Sequence, residues 1–196
     1  MPKSLSLFAV LAAAVFSTAA FAQEATEETQ AEGATASPLS MGTEAAQDAT
    51  YIKEEHGDWM LRCFRNENGD DPCQMYQLLK EAEGNPIAEF SIFRIDEESP
   101  AAAGGTIVVP LLTLLAAELK LSVDGGVVKA YPYRFCSPNG CVAQIGFTEE
   151  EIAAFQRGAE ARLTLIPAMA PNQTVDIFVS LKGFTAAFEQ ASSFSN

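Results

Sequence analysis

The sequence predicts an all-β fold, an antiparallel β-sandwich with one or two short helices, within a chain of 196 residues. Three observations predict it. Apolar residues alternate with polar ones along most of the chain after residue 50. Clusters of Gly, Pro, Asn and Asp interrupt these runs at short intervals. Helix-start signals are confined to a few short stretches. Alternation puts successive side chains on opposite faces of a strand, so each run can turn one face to a core. About nine short strands spaced in this way fit two antiparallel sheets packed face to face.

Before the strands come two segments of different character. Lys3 is the only charge before Glu24, and it precedes an apolar run, Leu5 to Phe16, and the small residues ending Ala20-Phe21-Ala22. A basic start, an apolar run and an A-x-A site make residues 1–22 a signal peptide. A membrane anchor fits less well, because the run is shorter than the roughly 20 residues that span a bilayer and Ser17-Thr18 interrupt it. The later apolar stretch Ile107–Leu119 is broken by Pro110 and Thr113 and closed by Glu118, so the chain is not expected to be transmembrane after signal cleavage. Residues 23–50 carry Glu24, Glu27, Glu28, Glu32, Glu44 and Asp48 with no basic and no aromatic residue. Such a segment cannot bury enough apolar surface to offset its ordering entropy, and it is expected to be a disordered acidic tail.

Residues 51–196 then form one β-sandwich domain. The clearest strands are Leu119–Asp124, Arg162–Leu165 and Val175–Leu181. Further strands are expected at Trp59–Phe64, Gln74–Lys80, Ile87–Ile95, Thr106–Val109, Val127–Phe135 and Val142–Phe147. Asn66 to Pro72, Glu83-Gly84-Asn85-Pro86, Asp124-Gly125-Gly126, Pro138-Asn139-Gly140 and Pro171-Asn172 are the turns between them. Thr148 followed by Glu151 is a capping box, Glu149 and Glu150 suit the positive end of a helix dipole, and Gly158 can end the helix. Leu111–Glu118 and Thr185–Ala191 are two further helical candidates.

Composition excludes several functions. With 12 basic against 26 acidic residues and a formal charge of −14, nucleic acid or an anionic membrane is a poor partner, since binding phosphate needs a basic footprint. The single His excludes most metal and triad chemistry. No cofactor is implied, because Walker, dinucleotide and nucleophile-elbow motifs are absent from the sequence.

Four cysteines, Cys63, Cys73, Cys136 and Cys141, are expected to be oxidised in an exported chain. Zinc is a poor alternative, because neither spacing is that of a structural site. Four cysteines allow three pairings, and energy does not select one: local loops are worth roughly 2 and 3 kcal/mol, and longer loops no less. Geometry favours local pairing. Ser137-Pro138-Asn139-Gly140 is turn-forming, so Cys136 and Cys141 would face each other across a hairpin. The polar Phe64–Pro72 connection can likewise return Cys73 beside Cys63.

Gly57-Asp58-Trp59-Met60-Leu61-Arg62-Cys63, followed by Cys73-Gln74-Met75-Tyr76-Gln77, resembles the N-terminal signature of the invasion-associated locus B (IalB) family. The similarity continues through Pro110-Leu111, Leu119–Asp124, Tyr131–Cys136 and Gly140–Ala143, and closes with Ser180–Ala187. The ordered set is specific where no single block is. One departure stands out: the family usually places a Gly within two positions after Pro110, where this chain has Leu111-Leu112-Thr113. The resemblance implies an immunoglobulin-like β-sandwich and an exported protein, periplasmic, envelope-associated or secreted. It implies virulence association in name, and it transfers no catalytic residues.

The remaining residues of interest have structural explanations. His56 beside Asp58 is expected to be a solvated surface residue, and Asp70-Asp71 lacks the spaced ligands of a calcium loop. Trp59 is expected to be a core anchor beside a disulfide. Asn139 and Gly140 form a candidate contact loop, since binding residues favour loops on rigid scaffolds. The sequence therefore predicts no catalytic residue and no metal ligand, and a non-enzymatic protein that binds an envelope component or a host surface. Alternatives are a periplasmic chaperone-like or stress factor, and a hydrolase with an unrecognised carboxylate site.

Overall fold

Strand structure begins at Thr50, one residue before the expected boundary of the domain. The computed structural model describes residues 49–67, 69–81, 83–96 and 99–194. The expected signal peptide, and the expected tail as far as residue 48, lie outside the described residues. β1 (Thr50–His56) is absent from the expected strands for a physical reason. It is an edge strand with mostly exposed side chains, so no apolar alternation is needed to hold it.

β1 opens an antiparallel meander that continues through β2 (Trp59–Phe64), β3 (Cys73–Lys80), β4 (Pro86–Ile95) and β5 (Ala103–Val109). β6 (Leu119–Val123) and β7 (Lys129–Tyr131) form a separate hairpin. β8 (Tyr133–Ser137) and β9 (Gly140–Phe147) return to the first sheet, where β9 pairs with β5. α1 (Glu149–Arg157), β10 (Glu160–Leu165), β11 (Val175–Ser180), α2 (Phe184–Gln190) and β12 (Ser193–Phe194) complete the described chain. The result is an eight-stranded sheet ordered β1-β2-β3-β4-β5-β9-β8, with β12 alongside β4, and a four-stranded sheet ordered β11-β10-β6-β7. All pairings are antiparallel except β12 with β4. The all-β antiparallel fold with two short helices agrees with the expectation.

Two local expectations are corrected. Val127–Phe135 is not one strand: Pro132 divides it, and its halves belong to different sheets. Proline lacks the donor that a continuous ladder needs. Leu111–Glu118 is not a helix but a loop containing one 3-10 turn, Leu115–Ala117. Leu112 within it has φ 65, left-handed backbone that costs a non-glycine residue roughly 1–2 kcal/mol. This is the place where a glycine is missing.

Inward residues of both sheets meet in one core, with Phe90, Ile92, Ile107 and Phe147 on one side and Leu121, Leu163, Ile177 and Val179 on the other. The helices close its end: Phe155 of α1 stacks on Phe184 of α2 at 5.2 Å. Trp59, fully buried, packs edge-on against Phe90 and Phe184. It is a core anchor as expected; Cys63 and Cys73 form a separate small cluster with Leu61, and Cys141 belongs to the same core as Trp59.

Polar contacts fix how the sheets face each other. Gln77, on the inner face of β3, donates to the Ser180 carbonyl at 2.9 Å and accepts from the Ser180 amide at 3.0 Å. Trp59 Nε1 donates to the same carbonyl at 2.8 Å. A buried side chain thus provides the partners that a neighbouring strand would otherwise supply. Replacing Gln77 with Leu, close to it in size, should leave the Ser180 amide unpaired and lower stability by about 1–3 kcal/mol. Urea unfolding of the oxidised protein checks this, with an unchanged slope expected.

Candidate functional site

The β2–β3 and β8–β9 ladders place cysteines directly opposite each other, Cys63 against Cys73 and Cys136 against Cys141. Each pair is bonded, with Cα atoms 4.0 Å apart. The first disulfide also organises the C-terminal segment: Ser192 Oγ accepts from the Cys73 amide at 2.9 Å, and the Ser192 amide donates to the Cys73 carbonyl at 2.8 Å. The second staples the hairpin that carries the candidate contact loop. Within that loop Asn139 is exposed, whereas Gly140 is buried. A Cβ on Gly140 would lie 2.4 Å from the Val109 carbonyl oxygen. Gly140 therefore lets the hairpin approach the end of β5, and only Pro138 and Asn139 are left to face outward.

Pro110 and Asn139 line the same small cavity of about 160 Å3, which places the β8–β9 turn beside the loop that follows β5. That loop is bridged to the loop after β10. The Leu114 amide donates to the Ile166 carbonyl at 2.7 Å, and the Ala168 amide to the Leu112 carbonyl at 2.7 Å. Thr113 pairs with Pro167 between them, and its hydroxyl donates to the Pro110 carbonyl at 2.7 Å. On this joined platform Leu111, Leu112, Leu115 and Met169 are 50%, 70%, 45% and 81% exposed. Sequence reasoning missed this apolar tip. Its signal is the run Leu111–Ala117, which reads as a buried helix if periodicity alone is considered.

Carboxylates elsewhere in the domain hold the structure together. Asp58 accepts the Ser180 hydroxyl proton at 2.6 Å. His56 Nε2 lies 3.2 Å from a Glu54 carboxylate oxygen of the same strand but makes no hydrogen bond, and the side chain is half-buried rather than solvated. A serine bonded directly to a carboxylate, with no imidazole between them, is not the nucleophile–base–orienter relay of hydrolases. Asp124 receives the amides of Ala159 and Glu160. Asp71 receives the Asn66 amide at 2.7 Å and the Tyr51 hydroxyl at 2.9 Å, and these bonds hold its carboxyl below the usual range. Among the described residues, no three His, Cys, Asp or Glu side chains gather in an arrangement that could hold a metal ion.

Glu151 ties α1 to the small sheet. Its carboxylate accepts from the Thr148 amide at 2.9 Å, closing the expected capping box, and binds Lys129 Nζ at 2.8 Å and the Tyr131 hydroxyl at 3.0 Å. Burial alone would raise its pKa, but these donors outweigh burial and hold the carboxyl below its ordinary value. Burial first, then Glu151, pushes the Tyr131 hydroxyl strongly upward. A cavity of about 320 Å3 lies beside this group, with Leu121, Val123 and Phe155 as apolar lining.

Residues 59–192 match the sequence profile of the family described as Invasion associated locus B (IalB) protein. The chain belongs to the IalB family. An invasion protein B homolog of Brucella abortus is 26% identical over 143 residues, covering 72% of this chain and 80% of the relative. The invasion protein B of Bartonella bacilliformis is 26% identical over 196 residues, 98% of each chain. The crystal structure of invasion associated protein B from Bartonella henselae superimposes with a TM-score of 0.60 at 27% identity, covering 70% of this chain and 92% of that one. The IalB match therefore extends from β2 to the segment following α2, and both disulfides fall within it. Among the described residues, no helix is long and apolar enough to cross a membrane.

Two outcomes follow from these contacts. Non-reducing peptide mapping should yield Cys63–Cys73 and Cys136–Cys141 peptides and no cross-pair. For Glu151, a folded-state pKa below the unfolded value gives stability that is complete above the ordinary value of 4.5 and is lost as pH falls through the folded pKa. Glu151→Gln should therefore lower stability at neutral pH and flatten its decline below about pH 4.5, as acid titrations of unfolding would show.

Proposed function

We propose that this chain is an exported, non-enzymatic envelope protein that acts by binding a partner, an envelope component or a host surface, through the loops at one end of its sandwich. Residues 1–22 serve as signal peptide and 23–50 as an acidic tail ahead of the binding domain. The observation that carries the reading is the division of labour between side chains. Asp58, Asp71, Asp124 and Glu151 are committed to structural donors, while Asn139 and the exposed residues of the bridged loops are left outward. Two disulfides support an oxidising compartment, the periplasm, the envelope or the exterior. The names of the Bartonella and Brucella relatives place those proteins in invasion, and the same role for this chain belongs to the proposal.

A chaperone-like role draws on one specific observation, the exposed leucines and methionine of the tip. It predicts that the protein suppresses aggregation of unfolded clients, which the binding reading does not.

The test is fractionation of cells that carry a photoreactive residue at Asn139. The protein should appear in the periplasmic or membrane fraction and give a discrete adduct. A photoreactive residue at Val127, 84% exposed in the hairpin between β6 and β7, should give none. Cytoplasmic retention, or equal adducts from both positions, would sink the proposal.

A further inference from the structure

We infer that the apolar loop end docks on lipid: Leu111, Leu112, Leu115 and Met169 enter the margin of a bilayer whose headgroups are zwitterionic. The inference rests on the binding reading above and deepens it by naming the chemistry of the partner.

Four observations converge on this tip. The first is charge. The chain carries −14 overall, yet of the two bridged loops, residues 110–118 and 166–174, only Glu118 at the border of β6 is charged. Charged side chains are what hold a loop in water and out of an apolar phase. The second is backbone satisfaction. Hydrogen bonds between and within the loops occupy the Leu114, Ala117, Ala168, Ala170 and Gln173 amides. Prolines at 110, 167 and 171 remove three more donors. Apolar surroundings exact a heavy cost for each unpaired amide, so the Leu111, Leu112, Leu115 and Met169 amides, which have no backbone partner, stay at the hydrated headgroup level while their side chains enter.

The third observation is Leu112 itself. Its backbone is held at φ 65 while its side chain is 70% exposed, so leucine serves neither the backbone nor the core there. Strained backbone with no gain in packing points to a use outside the fold. The fourth is shape. These side chains project from loop tips rather than line a groove. Four of them cannot supply the roughly 800 Å2 per partner that a stable complex with a second copy needs, whereas insertion into a bilayer needs no complementary surface. With no basic residue in either loop and a strongly negative chain, anionic headgroups would oppose docking. A zwitterionic surface remains.

The experiment is flotation of the exported, oxidised protein with vesicles of phosphatidylcholine and phosphatidylethanolamine at physiological salt. The protein should float with these vesicles, and float less as phosphatidylglycerol is added. The double variant Leu112→Asn, Met169→Gln should lose at least tenfold in bound fraction. Asparagine tolerates left-handed backbone, so this variant should fold as well as the parent, with melting curves as the check. A single Leu115→Gln change serves as the second, independent variant and should lose binding in the same direction. Parent protein that stays at the bottom of the gradient, variants that float like the parent, or binding that requires anionic lipid would each overturn the inference. So would a dimer in sedimentation that the double variant abolishes, or a protein adduct at the tip without flotation. If flotation fails while Asn139 still crosslinks a partner, the lipid inference falls and the binding reading stands; if both fail, both fall.

Discussion

The backbone of Ser180 is the point on which the two sheets depend. Gln77 engages both its amide and its carbonyl, and Trp59 shares the carbonyl. Apolar packing alone would let two sheets slide, because burial is nearly indifferent to direction. A bidentate amide contact is not, since a shift of one residue would leave buried donors and acceptors without partners. The contact therefore fixes β3 against β11 in a single register, and the aromatic cluster of Phe90, Phe155 and Phe184 packs in the space this register leaves around Trp59. Ser180 adds a further constraint through its hydroxyl, which holds Asp58 in the turn between β1 and β2.

That turn is fixed a second time by two glycines. Gly57 and Gly183 both have positive φ, and a Cβ on Gly183 would lie 2.0 Å from the His56 carbonyl oxygen. A Cβ on Gly57 would meet the Lys182 carbonyl at 2.5 Å. The first hairpin and the start of α2 thus touch backbone to backbone, which only glycine permits at these positions. Together with the bonds between Ser192 and Cys73, this makes the C-terminal segment part of the large sheet rather than an appendage. Elements far apart in sequence close the structure, and the two disulfides, being local, reinforce ladders already defined by pairing.

Much of this was legible in the sequence, and the exceptions share a cause. Alternation located the strands that have one buried face, such as β6, β10 and β11, and the capping box located α1, because each signal is local. The edge strand β1 carries no such signal, since its partner β2 supplies the hydrogen bonds and burial is not required of it. The division at Pro132 is a tertiary event: each half alternates acceptably, and only the two-sheet topology separates them. Local pairing of the cysteines could be reasoned from turn residues, but the Gln77–Ser180 contact joins residues 103 apart and leaves no trace in composition. The candidate loop was half legible. Asn139 is exposed as expected, while Gly140 is needed for close approach to Val109, a demand visible only once β5 and β9 are neighbours.

The apolar tip illustrates how a pattern can mislead in a useful way. Leu111, Leu112, Leu114 and Leu115 look like a buried helix face because the usual explanation of clustered leucines is a core. The core, however, is already filled by Leu119 and Leu121 of β6 and Leu163 of β10, the strands that flank these loops. What holds Leu111–Ala117 in place is hydrogen bonding to the 166–170 segment, not burial. A fold anchored at Ser180 and at the two glycines can carry such a loop without loss of register, because none of these anchoring contacts passes through it. Freedom to expose apolar side chains there follows from the rigidity of the contacts at Ser180, Gly57 and Gly183, which involve no residue of the loop.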